Sequence, residues 1–179
     1  RARILAGSAP VGAEQVSLAD AAGRTLAADA VARVTQPPNP VSAMDGYAVR
    51  AADIAKVPAD LRVIGVAPAG RPFAGTVKAG EALRIFTGAP MPDGADTVVI
   101  QEDTASESGV VTVRKAAKPG EWIRAEGLDF RAGDVLLKEG SVLSARDVGL
   151  AAAMNVPWLT VRLPLKYRPL SMRDAIRTT

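Results

Sequence analysis

Apolar and polar positions along this chain follow short blocks of one period and then another. Leu61–Val66 alternates, with Arg62, Ile64 and Val66 on one face and Leu61 and Val63 on the other. That is the period-two signature of a half-buried strand. Leu83–Thr87 alternates in the same way and places Leu83, Ile85 and Thr87 on one side. Asp45–Val49, Thr97–Gln101 and Val110–Arg114 read as further strands, the last two joined through a polar loop around Gly109, with Ala51–Ile54 a local turn. Gln15–Leu18 and Trp158–Val161 read as strands near the two ends. Val135–Lys138 and Val142–Leu143 fit a strand, a turn and a strand, while Thr25–Val34 is extended but ambiguous in period.

Helical signals are confined to the ends. Arg1–Ala6 reads as the last turn of a helix stopped at Gly7, and Leu18–Ala22 as one turn closed by Gly23. Ser144 stands as an N-cap with Asp147 at the third helical position, a weaker relative of the capping box. Val148, Ala151 and Ala152 make an apolar stripe behind it. Asn155 suits a left-handed cap and Pro157 a stop.

The middle of the chain is punctuated by turns. Lys78-Ala79-Gly80-Glu81, Lys118-Pro119-Gly120-Glu121, Arg131-Ala132-Gly133-Asp134 and Lys138-Glu139-Gly140-Ser141 repeat one device, and Pro92-Asp93-Gly94 adds a tight turn. None of these glycines opens a helix, as a phosphate-cradling loop requires, so they read as surface turns. Together the pattern predicts a β-rich α+β fold. Residues 1–36 and 132–162 form a helix-containing α/β domain, and 37–131 are inserted into it as a β-rich domain. The stretch 163–179 is basic, proline-broken and divergent, and is expected to be loosely ordered or wrapped on a partner.

Composition narrows the chemistry more than the fold. Of 179 residues, 48% are apolar, which suffices for a core, but only 4% are aromatic, so that core must be Ala, Val, Leu and Ile. The chain has no cysteine and no histidine. Thiol nucleophiles, disulfides, Cys/His zinc sites and histidine triads are therefore excluded within it. Acid–base work must fall to Asp, Glu, Lys or Tyr, and the absence of cysteine suits a reducing compartment. The net charge of +3 comes from cations scattered among acids, without aromatic interleaving, so a nucleic-acid surface is not expected. No apolar run is long enough to span a bilayer, so no membrane span is expected, and no secretory signal is visible in the opening residues.

One stretch concentrates candidate chemistry. Pro37, Pro38 and Pro40 force an extended crossing into Ser42, Met44, Asp45, Gly46 and Tyr47. A stiff approach to a hydroxyl, an acid and a glycine suits a site on a loop-to-strand junction. It equally suits a proline-rich inter-domain crossing that carries a turn.

Three blocks in order then resemble one family. Ser42-Ala43-Met44-Asp45-Gly46-Tyr47-Ala48-Val49 is similar to the signature of the molybdopterin molybdenumtransferases, the MoeA family that includes the E domain of gephyrin. Arg84-Ile85-Phe86-Thr87-Gly88-Ala89-Pro90, with Pro92 and the segment to Glu102, resembles its second block; Ile123-Arg124, Gly127 and Asp129 resemble its third. The resemblance covers residues 1–162 and implies an enzyme that inserts molybdate into adenylated molybdopterin with Mg²⁺, releasing AMP. It implies a cytoplasmic homodimer, with molybdopterin adenylyltransferase as a pathway partner and neither nucleic acid nor membrane. The family's cleft lies between the inserted domain of one subunit and the pterin-binding domain of the other. Carried over by position, Asp45, Thr87 and Asp129 would be catalytic, and Ser42, Gly46, Gly88 and Arg124 would bind substrate. Backbone N–H groups beside Gly46 and Gly88 would add donors for oxyanions. Because carboxylates repel anionic substrates, Asp45 and Asp129 are expected to hold Mg²⁺ or to orient the attacking oxyanion.

The chain departs from the family pattern at about Leu163, where the pterin-binding and C-terminal domains would follow, so it is expected to supply half of a composite site. Val41 replaces a commonly polar residue, and Leu128 one that is frequently acidic or small. Read without the family, Asp129 is a turn acid, Thr87 a strand end and Arg124 a surface charge. A non-catalytic dimerisation or scaffold module of the same fold is the alternative function.

Overall fold

The strand that follows Asp45 is paired on both sides within its sheet in the computed structural model, which describes residues 11–164. The strands are β1 (Ala13–Ser17), β2 (Ala30–Val31), β3 (Val41–Ser42), β4 (Gly46–Val49), β5 (Ala59–Ala67) and β6 (Glu81–Ile85). They continue with β7 (Thr97–Ile100), β8 (Thr104–Glu107), β9 (Val110–Val113), β10 (Ile123–Arg124), β11 (Val135–Leu137) and β12 (Trp158–Arg162). One α-helix is described, α1 (Ala145–Ala153). The fold is β-rich α+β, and it divides into two compact units, 11–33 with 132–164, and 34–131.

The second unit is built on a six-stranded sheet in the order β7-β4-β6-β5-β9-β8. All pairs are antiparallel except β5 with β6, whose parallel pairing needs the long loop between them. Every residue of β4 is buried, because both faces of the sheet are covered. Tyr47 and Val49 pack with Leu61, Ala82, Val99 and Val111 on one face; Ala48 packs with Leu83, Ile85 and Val98 on the other. The side chains are short, as the scarcity of aromatics requires.

Alternation in β5 is interrupted. Its register against β6 shifts between Val63 and Val66. Ile64 and Ala67, three apart, consequently reach the same cluster, while Val66 is exposed rather than sharing the face of Ile64. A strand longer than the expected one absorbs this irregularity, running Ala59–Ala67.

The first unit holds the antiparallel pairs β1–β12 and β2–β11 together with α1. Ser144 and Asp147 form a full reciprocal capping box: Ser144 N–H donates to Asp147 Oδ2 at 2.8 Å, and Asp147 N–H to Ser144 Oγ at 3.3 Å. The inward face of α1 differs from the expected stripe. Ala151 and Met154 are buried, and Ala152 is exposed, since one residue is a rotation of about 100°. Asn155 takes its left-handed cap with φ 58°. Val135–Lys138 and Val142–Leu143 do not form a hairpin with each other. β11 pairs with β2, and Val142 bridges to Thr25, so both pair with the extended segment that precedes the proline crossing. The boundary between the units falls at 33/34 rather than 36/37, because Gln36 pairs with Phe130 inside the second unit. The expected helix end at Arg1–Ala6 and nearly all of the 163–179 tail lie outside the described residues.

The repeated glycine turns are closed in a way their spacing explains. Glu81 N–H donates to Lys78 O at 3.1 Å, and Lys78 N–H returns to the Glu81 carboxylate at 3.0 Å. Glu121 and Lys118 do the same at 3.0 and 2.8 Å. The acid is thus part of the turn rather than of a ligand site.

Candidate functional site

From Pro40 the chain enters β3, which pairs with β10 so that Val41 lies opposite Arg124 and Ser42 opposite Ile123. Ser42 is fully buried. Its Oγ donates to Met44 O at 2.6 Å and accepts from Met44 N–H at 3.3 Å. This local bond competes with continued strand and turns the chain before β4 begins. The main chain of Ser42 is tied to the second block as well: Ser42 N–H donates to Ala89 O, and Gly88 N–H to Ser42 O, both at 2.9 Å.

These ties bring Asp45 and Thr87 together. Thr87 N–H and Thr87 Oγ1 both donate to Asp45 Oδ1, each at 2.8 Å. Asp45 Oδ2 takes no hydrogen bond among the described residues. The Asp45 carbonyl accepts from Gln101 N–H at 3.1 Å. The Thr87 amide, then its hydroxyl, hold the Asp45 carboxyl below the usual carboxylate value; partial burial opposes this and the Arg84 charge adds to it. Asp45 is therefore an ionised, solvent-reachable carboxylate with one oxygen fixed and one available.

Arg124 and Asp129 form a second pair. Arg124 Nη2 donates to Asp129 Oδ1 at 2.8 Å and Oδ2 at 2.9 Å, with both side chains about half exposed. Among the described residues no hydrogen bond or ion pair joins this pair to Asp45 and Thr87. An open groove of about 1120 Å³ runs along the proline crossing, with Pro38, Pro40, Gly88, Met91, Ile123 and Arg124 among its lining; Asp45 and Thr87 lie outside it.

Three of the residues expected to contact substrate also hold the fold together. Ser42 spends its hydroxyl on the turn. Gly46 is needed because a Cβ there would lie 1.9 Å from Val99 O, so its lack of a side chain serves strand packing. Gly88 has φ 81°, and its N–H is spent on Ser42 O. The Thr87 and Ala89 amides are likewise engaged, by Asp45 and by Phe86 O, so this loop offers no free cluster of donors for an oxyanion.

The two carboxylates expected to share a metal differ in fitness. Both Asp129 oxygens accept from Arg124, which makes it a poor ligand. Asp45 fits as a single ligand, and Mg²⁺ commonly takes one or two carboxylates with substrate phosphates. No group of three or more acidic residues arranged to hold a metal occurs among the described residues.

Residue reasoning missed Arg84, although its block was noticed. Arg84 lies opposite Tyr47 across β4 and β6, with its guanidinium 5.2 Å from the Tyr47 ring centroid and 4.8 Å from that of Phe86. An arginine between two aromatic residues at alternate positions of paired strands was the available signal.

A smaller prediction follows from the Asp45 geometry. Thr87→Val removes the hydroxyl donor and keeps the amide, so the Asp45 pKa should rise part of the way to its ordinary value. Because the wild-type pKa is depressed on folding, Asp45 stabilises the fold above the unfolded value of about 3.9 and loses that contribution as pH falls through the folded value. Thr87→Val should flatten this acid loss. A carboxyl-carbon NMR titration reads it, and an unchanged Asp45 pKa would remove the hydroxyl from the account.

The similarities to known proteins fall on this architecture. The family model for the MoeA N-terminal region (domain I and II) matches residues 1–155. A molybdopterin molybdenumtransferase of Nostoc sp. is 41% identical over 152 residues, covering 83% of this chain and 35% of that protein. One from Haemophilus influenzae is 36% identical over 168 residues, covering 93% and 41%. A crystal structure of the molybdopterin biosynthesis MoeA protein from Pyrococcus horikoshii OT3 superimposes with a TM-score of 0.82 at 31% identity, covering 94% of this chain and 48% of that one. The chain thus spans less than half the length of each of these relatives. With the family model running through both compact units, and through the Asp45 and Thr87 blocks that the fold draws together, this chain belongs to the MoeA N-terminal region family.

Proposed function

We propose that this chain is the N-terminal part of a molybdenum insertase, which transfers molybdate into adenylated molybdopterin and releases AMP. The observation that supports this most is the Asp45–Thr87 pair, in which two donors fix one carboxylate oxygen and leave the other available at an accessible tip. Asp45 repels the anionic substrates directly, so its work is to hold a water or a cation beside the phosphoanhydride. Mg²⁺ bound there would polarise the phosphoanhydride and offset developing charge. Arg124 binds phosphate or molybdate oxygens through the guanidinium N–H groups that Asp129 does not use, and Asp129 orients it. In this reading Asp129 acts on Arg124 and not on the metal.

The reading carries further proposals. The cleft is completed by the pterin-binding domain of a second subunit in a homodimer, located in the cytoplasm, and the substrate is supplied by an adenylyltransferase. Among the described residues no helix is long and apolar enough to cross a membrane. The alternative is a non-catalytic dimerisation or scaffold module of the same fold.

A chimera separates the two readings. Residues 11–162 of this chain replace the matching region of the Haemophilus influenzae relative. The expected result is molybdate-dependent AMP release by the folded chimera. A folded chimera with no release favours the scaffold.

A further inference from the structure

We propose that Arg84 is a positioning residue that locks the Asp45–Thr87 pair from the neighbouring strand. Its Nη1 donates to Gly46 O at 3.1 Å, the carbonyl immediately after Asp45. Its Nη2 donates to Gln101 Oε1 at 2.7 Å, and the Gln101 N–H in turn donates to Asp45 O at 3.1 Å. One planar fork therefore fixes the main chain on the C-terminal side of Asp45 and the residue that holds the Asp45 carbonyl. The Tyr47 and Phe86 rings confine the guanidinium, and Phe86 immediately precedes Thr87. Phe86 N–H is itself pinned to Ala67 O at 3.2 Å. Arg84 thus borders both halves of the pair: the strand that begins after Asp45 and the aromatic residue before Thr87.

Two alternatives for so well anchored an arginine are weaker. A surface ion pair is excluded among the described residues, because Arg84 makes none. Direct substrate binding is disfavoured, because both Nη atoms are engaged by protein acceptors and two rings flank the guanidinium plane. A lysine could not substitute. Its ammonium is a point charge that cannot span Gly46 O and Gln101 Oε1 as a rigid fork does.

The proposal deepens the functional reading and rests on it only for the chemistry that Asp45 performs. Its test is amide hydrogen exchange on this chain without substrate. In Arg84→Met the Thr87 amide should exchange about tenfold faster, as its acceptor loses its fixed position. The amides of Leu83, within the sheet, and of Val98, bonded to Glu121 O, should keep their wild-type rates. Arg84→Lys should not restore Thr87 protection. Unchanged Thr87 exchange in folded Arg84→Met, or a uniform rise across Thr87, Leu83 and Val98, would overturn the proposal. Should Arg84→Met fail to fold, Gln101→Ala carries the test, with a Thr87 rate about threefold higher expected and an unchanged rate overturning it. AMP release is not read here, so failure of this experiment and failure of the functional reading are separate results.

Discussion

Gly46→Ala is expected to lower stability by about 3 kcal/mol or more, the upper range for forcing atoms into a packed interior. The melting temperature should fall by roughly 6–12 °C for a chain of this size. A Cβ at this position lies 1.9 Å from Val99 O, 2.9 Å from Val99 C and 3.0 Å from Ile100 Cα. All three atoms are main chain of β7, so no side chain can swing aside. Relief requires β4 and β7 to separate where Gly46 pairs with Ile100 and Tyr47 with Val99. That movement also loosens the Gln101 N–H bond to Asp45 O, so the site is disturbed together with the fold. Thermal or urea unfolding reads the effect. A loss below about 0.5 kcal/mol, the range of an ordinary surface substitution, would mean that β4 and β7 are not held this closely.

The largest effect on activity is expected at Asp45. Asp45→Asn keeps a carbonyl oxygen that can accept from Thr87 N–H and Oγ1, so the local structure should survive. What disappears is the negative charge and the second carboxylate oxygen. A loss of about a hundredfold or more in kcat is expected, the lower end for removal of a positioned acid–base group. Asp45→Ala should lose at least as much activity and some stability besides, because two Thr87 donors are then left without their acceptor. The comparison therefore separates charge from scaffold.

The parts of this architecture visible in the sequence are those with local causes. The strand β6 follows from alternation, and the capping box from Ser144 and Asp147 three residues apart. The segment Thr104–Glu107 gave no such signal: it is polar, and becomes β8 only because β9 folds back on it. The two-residue strands β3 and β10 have no pattern of their own, yet their pairing sets Arg124 beside Val41. At the site, Asp45 stood out through its stiff proline entry, and the family blocks drew in Thr87. Their shared hydrogen bonds depend on a loop contact across 42 residues in sequence, which no local period encodes. Glycines and hydroxyls were the least legible. Ser42, Gly46 and Gly88 have the chemistry of ligand contacts, and only three-dimensional neighbours such as Val99 O reveal that they also serve the backbone.

The central claim is that the Asp45 carboxylate, held by Thr87, belongs to the reacting centre of a molybdenum insertase. The most direct measurement is molybdate-dependent AMP release from adenylated molybdopterin by the Haemophilus influenzae chimera, made once with Asp45 intact and once carrying Asp45→Asn. The account predicts a variant that still folds and whose kcat is lower by about a hundredfold or more. Equal rates from the two folded proteins would contradict it.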